Sequence, residues 1–228
     1  PLPHPPRPAL CCGLTYVSTG QLTQARAVMR RTLDVLSPLV RPGRPLVVLE
    51  PSCAAALRTD MPELLADDPR AARLAAAVRT FAETLEELAP DWTPPRVDRP
   101  VAGQTHCHQH AVLGDAADRR LRERAGLGGA LSGGCCGLAG NFGYERGHYA
   151  ISLACAEDQL LPAVRAAAPD AEILADGFSC RTQLAQLTDQ GARPARHLAE
   201  VLAEALDAAE RRETADHPDT AKGPQPHG

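Results

Sequence analysis

Cys-Cys-Gly-Leu occurs twice in this chain, at Cys11-Cys12-Gly13-Leu14 and at Cys135-Cys136-Gly137-Leu138. Each copy is closed by a third cysteine far downstream, the first at Pro51-Ser52-Cys53 and the second at Phe178-Ser179-Cys180. The second cysteine of each pair precedes its closing cysteine by 41 residues in the first copy and by 44 in the second. A cysteine that only fills space in a core has no reason to keep such a spacing. The chain must therefore fold so that each pair meets its closing thiol, and it must do so twice.

The segments between these cysteines indicate how. Leu22, Ala25, Val28, Met29, Leu33 and Leu36 recur at helical spacing, so this stretch presents one apolar face. Pro42-Gly43 ends it, and Pro45-Leu46-Val47-Val48-Leu49 is a short apolar run of the kind found in buried parallel strands. Pro51-Ser52 opens a new helix, and a further helix is expected over about 69–88. Asp91-Trp92-Thr93-Pro94-Pro95 has the composition of a linker.

The second copy is expected to comprise a strand near 97–105, a helix around 114–124, a helix over 146–167, a strand at 171–175 and a helix from Ser179. A last amphipathic helix is expected at 194–210. Alternating strands and helices predict an α/β protein with two pseudo-repeated halves, each a small parallel sheet flanked by helices. The division expected is 1–92 for the first repeat with its connecting helix, 93–190 for the second, 191–211 for a C-terminal helix and 212–228 for a disordered tail. The chain opens with Pro-Leu-Pro-His-Pro-Pro, and its first repeat begins almost at once. The first half is therefore expected to be truncated at its N-terminus, as the C-terminal part of a longer polypeptide.

Composition narrows the function. A formal charge of -4 with almost no lysine gives no electrostatic basis for nucleic-acid binding. No apolar run approaches the roughly 18–20 residues that span a bilayer, and no signal peptide is visible. Eight cysteines without secretory features point to a reducing, cytoplasmic setting in which thiols serve metals or redox chemistry. A disulfide-stapled fold is disfavoured, because bridging adjacent cysteines strains the peptide between them.

Cys53 and Cys180 each fall at the start of an expected helix, where unpaired amides and the helix dipole favour a thiolate. Gly13 and Gly137 free the backbone beside each pair, so that neighbouring thiols can point to one site. With Cys107, the second half assembles four thiols: Cys107, Cys135, Cys136 and Cys180. That number suits a [4Fe–4S] cluster or a tetrahedral zinc. The first half has Cys11, Cys12 and Cys53, and its fourth ligand is expected before Pro1. Cys155 is expected to be a core residue in mid-helix. His106, His108 and His110 alternate along what reads as a strand end, open to ligating zinc or iron, hydrogen bonding to a cluster sulfur, holding a substrate carboxylate or plain exposure, and are left outside the ligand set. His148 and His197 have no constellation around them.

At these residues the chain resembles the cysteine-rich CCG domain of heterodisulfide reductase B, of the iron–sulfur protein of glycolate oxidase and of the iron–sulfur component of anaerobic glycerol-3-phosphate dehydrogenase. The stretches Cys11-Cys12-Gly13-Leu14-Thr15-Tyr16, Leu49-Glu50-Pro51-Ser52-Cys53 and Cys135-Cys136-Gly137-Leu138-Ala139-Gly140-Asn141-Phe142-Gly143 look most like the large FAD- and iron–sulfur-binding oxidoreductases related to D-lactate and D-2-hydroxyglutarate dehydrogenases. The resemblance covers about residues 10–190.

It implies an electron-transfer region that receives electrons from an N-terminal FAD domain through a ferredoxin-like segment. It further implies delivery to an acceptor such as a quinone or cytochrome, in the cytoplasm or at the inner face of the membrane, with no catalysis by this segment alone. One departure stands out. The full pattern closes each repeat with Cys-x-x-Cys, whereas here Ala54-Ala55-Ala56 follows Cys53 and Arg181-Thr182-Gln183 follows Cys180. The fifth thiol of non-cubane clusters is missing, which leaves a [4Fe–4S] cluster, a zinc-stabilised structural or docking module, or a degenerate site. Thiol–disulfide chemistry at a vicinal pair is a third reading, weakened by the same absence.

Overall fold

Two small parallel sheets organise the helices of this chain. The computed structural model describes residues 10–188 and 194–216. The first sheet joins β1 (Leu46–Val47) to β2 (Val78–Arg79) with Leu46 opposite Val78. Around it lie α1 (Leu14–Ser18), α2 (Leu22–Leu36), α3 (Pro51–Arg58), α4 (Asp60–Leu64) and α5 (Pro69–Ala77). The second sheet has the order β4-β3-β5, formed by β3 (Arg99–Gln104), β4 (Leu127–Gly128) and β5 (Glu172–Ala175), and both its pairings are parallel. Its helices are α6 (Phe81–Leu88), α7 (Ala116–Arg124), α8 (Tyr149–Asp158), α9 (Leu160–Arg165), α10 (Phe178–Leu187) and α11 (Leu198–Asp216). The α/β architecture with small parallel sheets is as the sequence pattern predicts. Among the described residues no helix is long and apolar enough to cross a membrane.

Packing follows periodicity. On α2 the buried residues are Ala25, Val28, Met29, Thr32 and Leu33, one face of a helix. Met29 and Leu33 meet Leu57, Met61, Leu65, Leu74 and Val78 in the first core. The second sheet is covered on both faces, and its strands divide their side chains with period two. Ala102, Ile173 and Ala175 face Leu160, Leu161 and Leu184, while Val101 and Leu174 face Leu121, Leu198 and Leu202.

Several expected boundaries change. The single helix over 69–88 is two helices separated by β2. Val78 is fully buried in the pairing with β1. Thr80 then starts α6 through a capping box, its hydroxyl accepting from the Glu83 N–H while the Glu83 carboxylate accepts from the Thr80 N–H at 2.7 Å. Glu83 also pairs with Arg58, whose guanidinium donates to the Val78 carbonyl at 2.9 Å. α6 then packs Ala82, Phe81 and Leu85 into the core of the second sheet, together with Trp92 from the expected linker.

The helix expected over 146–167 breaks into α8 and α9 at Gln159, and Pro162 has no N–H to continue the ladder. The histidine run is not a strand end. β3 stops at Gln104, and the chain turns helical and widens into a π-helical turn over Gln109–Leu113, closed by the Gly114 N–H donating to the Gln109 carbonyl at 2.7 Å. α11 extends to Asp216, so the start of the expected disordered tail is helical. The expectations for residues 1–9, 189–193 and 217–228 lie outside the described residues.

Candidate metal centre

Both cysteine pairs sit in the same local geometry. Gly13 and Gly137 adopt φ of 82° and 87°, and a Cβ on Gly137 would overlap the Ser152 carbonyl. This backbone turns each glycine N–H back onto the first sulfur of its pair. Gly13 donates to Cys11 Sγ at 3.4 Å and Gly137 to Cys135 Sγ at 3.3 Å. Cys53 and Cys180 are each the third residue of a helix, α3 and α10, as their expected position after a strand requires.

The four thiols of the second set come together as a row. Cys107 lies beside Cys135, Cys135 beside Cys136, and Cys136 beside Cys180, each close enough to shift its neighbour's ionisation. The neighbouring Cys107 and Cys136 thiols and the Gly137 N–H lower the Cys135 thiol below its usual range, which favours its charged form. Cys107 and Cys136, beside it in a partly desolvated site, are pushed up. Cys136 and Cys180 are buried, Cys107 is half-buried and Cys135 is exposed. In the first set Cys12 and Cys53 lie beside each other, which brings Cys12 down to about 7 and raises Cys53. Cys11 is exposed, and its charge acts on Cys53. Cys155 lies in mid-helix as expected, on α8, but it is part-exposed rather than core.

Metal geometry separates the candidate ligands. With Zn–S bonds of about 2.3 Å, four tetrahedral sulfurs lie about 3.8 Å from one another. Among the described residues, the ligand atoms that all lie within 4.8 Å of one another are those of His106, Cys107 and His108, not those of the four cysteines. Four thiols are a donor set that suits either a zinc ion or an iron–sulfur cluster.

Sequence reasoning left out the residues that link the two sets. His106 is 5 % exposed, stacks on His108 with ring centroids 5.4 Å apart, and accepts the His108 N–H on Nδ1 at 3.1 Å. Burial lowers its pKa, so it is neutral with the proton on Nε2, which faces Glu50 Oε1 at 3.9 Å. Glu50 in turn joins the two cysteine-bearing helices. Its Oε1 accepts from the Ser52 hydroxyl at 2.7 Å at the start of α3, and its Oε2 accepts from the Phe178 N–H at 2.6 Å at the start of α10. Its charge acts on Cys12 and Cys53, and both Glu50 and Cys135 act on His106. His197, without a constellation in the sequence, is buried. Its Nδ1 accepts from the Ala199 N–H at 2.9 Å and its Nε2 donates to the Leu49 carbonyl at 3.0 Å, tying α11 to the residue before Glu50. The available signal was Glu50 immediately before Pro51-Ser52, the pattern of a helix cap.

Beneath the second set lies a polar chamber of about 10 Å³ lined by Gln104, Asp118, Arg122 and Asp176 among others. Gln104 reaches the loop before Cys135, donating from Nε2 to the Gly133 carbonyl at 3.0 Å. Asp118 is buried and its Oδ2 has no hydrogen-bond partner among the described residues. Burial, with repulsion from Asp176 and Glu83 outweighing attraction to Arg122, pushes its pKa up to about 7. Folding thus tightens this proton: the stabilisation is full below about pH 4, where the unfolded carboxyl is protonated, and is lost as pH rises through about 7. Asp118→Asn is therefore expected to match the parent at about pH 3 and to exceed it by roughly 3–4 kcal/mol at about pH 8 in urea unfolding. Equal destabilisation at both pH values would show that Asp118 acts in some other way.

No family model matches the chain. It is similar to D-2-hydroxyglutarate dehydrogenase of Escherichia coli, 27 % identical over 195 residues that cover 80 % of this chain and 18 % of that protein. A second relative is the C subunit of the anaerobic glycerol-3-phosphate dehydrogenase of Escherichia coli, 28 % identical over 151 residues that cover 63 % of this chain and 37 % of that protein. The chain thus spans well under half the length of either. One relative is a dehydrogenase and the other a component of one, and the chain is related to parts of redox enzymes.

Proposed function

We propose that this chain is the iron–sulfur electron-transfer region of an FAD-linked D-2-hydroxyacid dehydrogenase. The observation that carries the reading is the row Cys107–Cys135–Cys136–Cys180, thiols from three separate segments brought close enough to shift one another's ionisation. The similarity to two dehydrogenase proteins supports the redox class.

Cys107, Cys135, Cys136 and Cys180 would hold a [4Fe–4S] cluster, which when bound accepts and releases one electron at a time. Cys11, Cys12 and Cys53 would be the thiols of a second site. The Gly13 and Gly137 amides donate to sulfur, which favours the more negative state of a bound centre. Burial of Cys136 and Cys180 keeps water from one side, while exposed Cys135 leaves the other open for transfer. His106 and Glu50 stand between the two sets.

In this reading the first repeat lies within 1–92, which ends in the connecting helix α6 packed on the second sheet, and the second repeat lies within 93–190. The flavin domain and the ferredoxin-like segment are partners, fused or separate, and a quinone or cytochrome takes the electrons. The hydroxyacid chemistry belongs to the flavin partner. Anaerobic reconstitution of the chain with iron and sulfide tests the assignment. The expected product is a brown protein with equal iron and acid-labile sulfide, whose visible absorption bleaches on reduction. Uptake of a single zinc without labile sulfide would replace it with a structural or docking module.

A further inference from the structure

The end of the first sheet opposite to its cysteines carries a cavity of about 560 Å³ with an unusual lining. The turn before β1 contributes Arg41 and Arg44, α5 contributes Arg70 and Arg73, and β2 contributes Arg79, against one carboxylate, Glu87. In a chain of formal charge -4 this is a local reversal of sign. Two of the five guanidinium groups are already neutralised. Arg70 pairs with Asp68 at 2.6 Å and Asp34 at 2.9 Å, and Arg79 with Glu87 at 2.7 Å. Among the described residues, Arg41, Arg44 and Arg73 have no carboxylate partner, and all three are exposed.

The second sheet supplies an internal comparison. A cavity at the corresponding end, by the starts of β3 and β5, also gathers arginines. There Arg96 faces Asp98, Arg99 faces Glu172 at 2.6 Å, and Arg196 faces Glu204 at 2.5 Å, while Arg212 has no carboxylate partner among the described residues. Three of four arginines are thus balanced at the second sheet, against two of five at the first. Val40, Pro42 and Pro45 add an apolar wall to the cationic cavity. Its volume lies in the range of small-ligand sites, about 300–1,000 Å³. Planar guanidinium forks match phosphate oxygens two at a time, a geometry that neither lysine nor water reproduces.

We propose that this cavity binds a small organic phosphate bearing at least two negative charges, such as a nucleoside diphosphate. Arg41, Arg44 and Arg73 clasp the phosphates, and the proline and valine wall seats the organic part. The site stands apart from the cysteines and does not depend on their occupancy.

Titration calorimetry of the whole chain with ADP and with pyrophosphate tests it, with phosphatidylglycerol and phosphatidylcholine vesicles as separate arms. The expected result is one saturable site for ADP and for pyrophosphate that weakens with added salt and is absent with either vesicle. The triple variant Arg41→Gln/Arg44→Gln/Arg73→Gln should weaken ADP by about tenfold or more. Its thermal midpoint should stay near the parental one, because none of the three makes an ion pair among the described residues. No binding of either phosphate, equal affinity in a folded variant, or binding to phosphatidylglycerol vesicles alone would each overturn the proposal.

Discussion

Cys135→Ser should abolish iron retention at the second cysteine set while leaving the fold in place. Cys135 lies within the row, beside Cys107 and Cys136 and accepting from the Gly137 N–H, and its thiol is held below the usual range. A serine hydroxyl does not ionise near neutral pH and cannot supply the soft thiolate that iron–sulfur clusters take. Serine keeps a polar acceptor for the Gly137 N–H, so the unliganded variant should still fold, with a lower urea midpoint because the group whose charged form is favoured at this position is gone. The measurement is iron and acid-labile sulfide after anaerobic reconstitution, set beside the urea midpoint of the unliganded protein. Cys155→Ser is the matched control, on α8 and outside the row. Parental iron content in Cys135→Ser, or equal loss in the control, would remove the four-thiol site from consideration.

The largest expected loss of stability is at Gly103. It lies inside β3 opposite Leu174, with φ of 125°, and a Cβ there would overlap the Leu174 carbonyl on the adjacent strand. No rotamer relieves the overlap, since both groups belong to the paired backbones of β3 and β5. Gly103→Ala should therefore cost about 3 kcal/mol or more, from the strained conformation and the forced separation of the strands together. For a chain of this size that lowers the melting midpoint by roughly 10 °C. Calorimetric melting of the unliganded protein checks it. A midpoint within about a degree of the parent would mean that the two strands part at no cost.

The cysteine sets, α2, and the strands at 46–47 and 172–175 were legible because each rests on local spacing. Period 3.6 placed the buried face of α2, and the recurring Cys-Cys-Gly marked the glycines whose backbone turns an amide onto sulfur. What escaped depends on pairing across the chain. Val78-Arg79 is too short to stand out from its helical surroundings, and it becomes a strand only because Leu46-Val47 lies alongside; Thr80 and Glu83 were the local sign that a new helix starts there. Alternation at His106, His108 and His110 mimicked a strand, while the backbone bends into a wide helical turn after Gln104. Glu50 was visible as part of a motif, but its second role arises only when the start of α10 arrives 128 residues later. Its pattern had no way to announce that meeting.

The carboxylate of Glu50 has one oxygen on each cysteine-bearing helix. Helices pinned in this way cannot drift apart without stripping a part-buried charge of its donors. Tunnelling probability decays exponentially with separation, so in a chain that relays electrons a fixed gap gives a fixed rate. Thermal breathing of the surrounding loops would then leave the speed of passage between the two sulfur sets almost untouched.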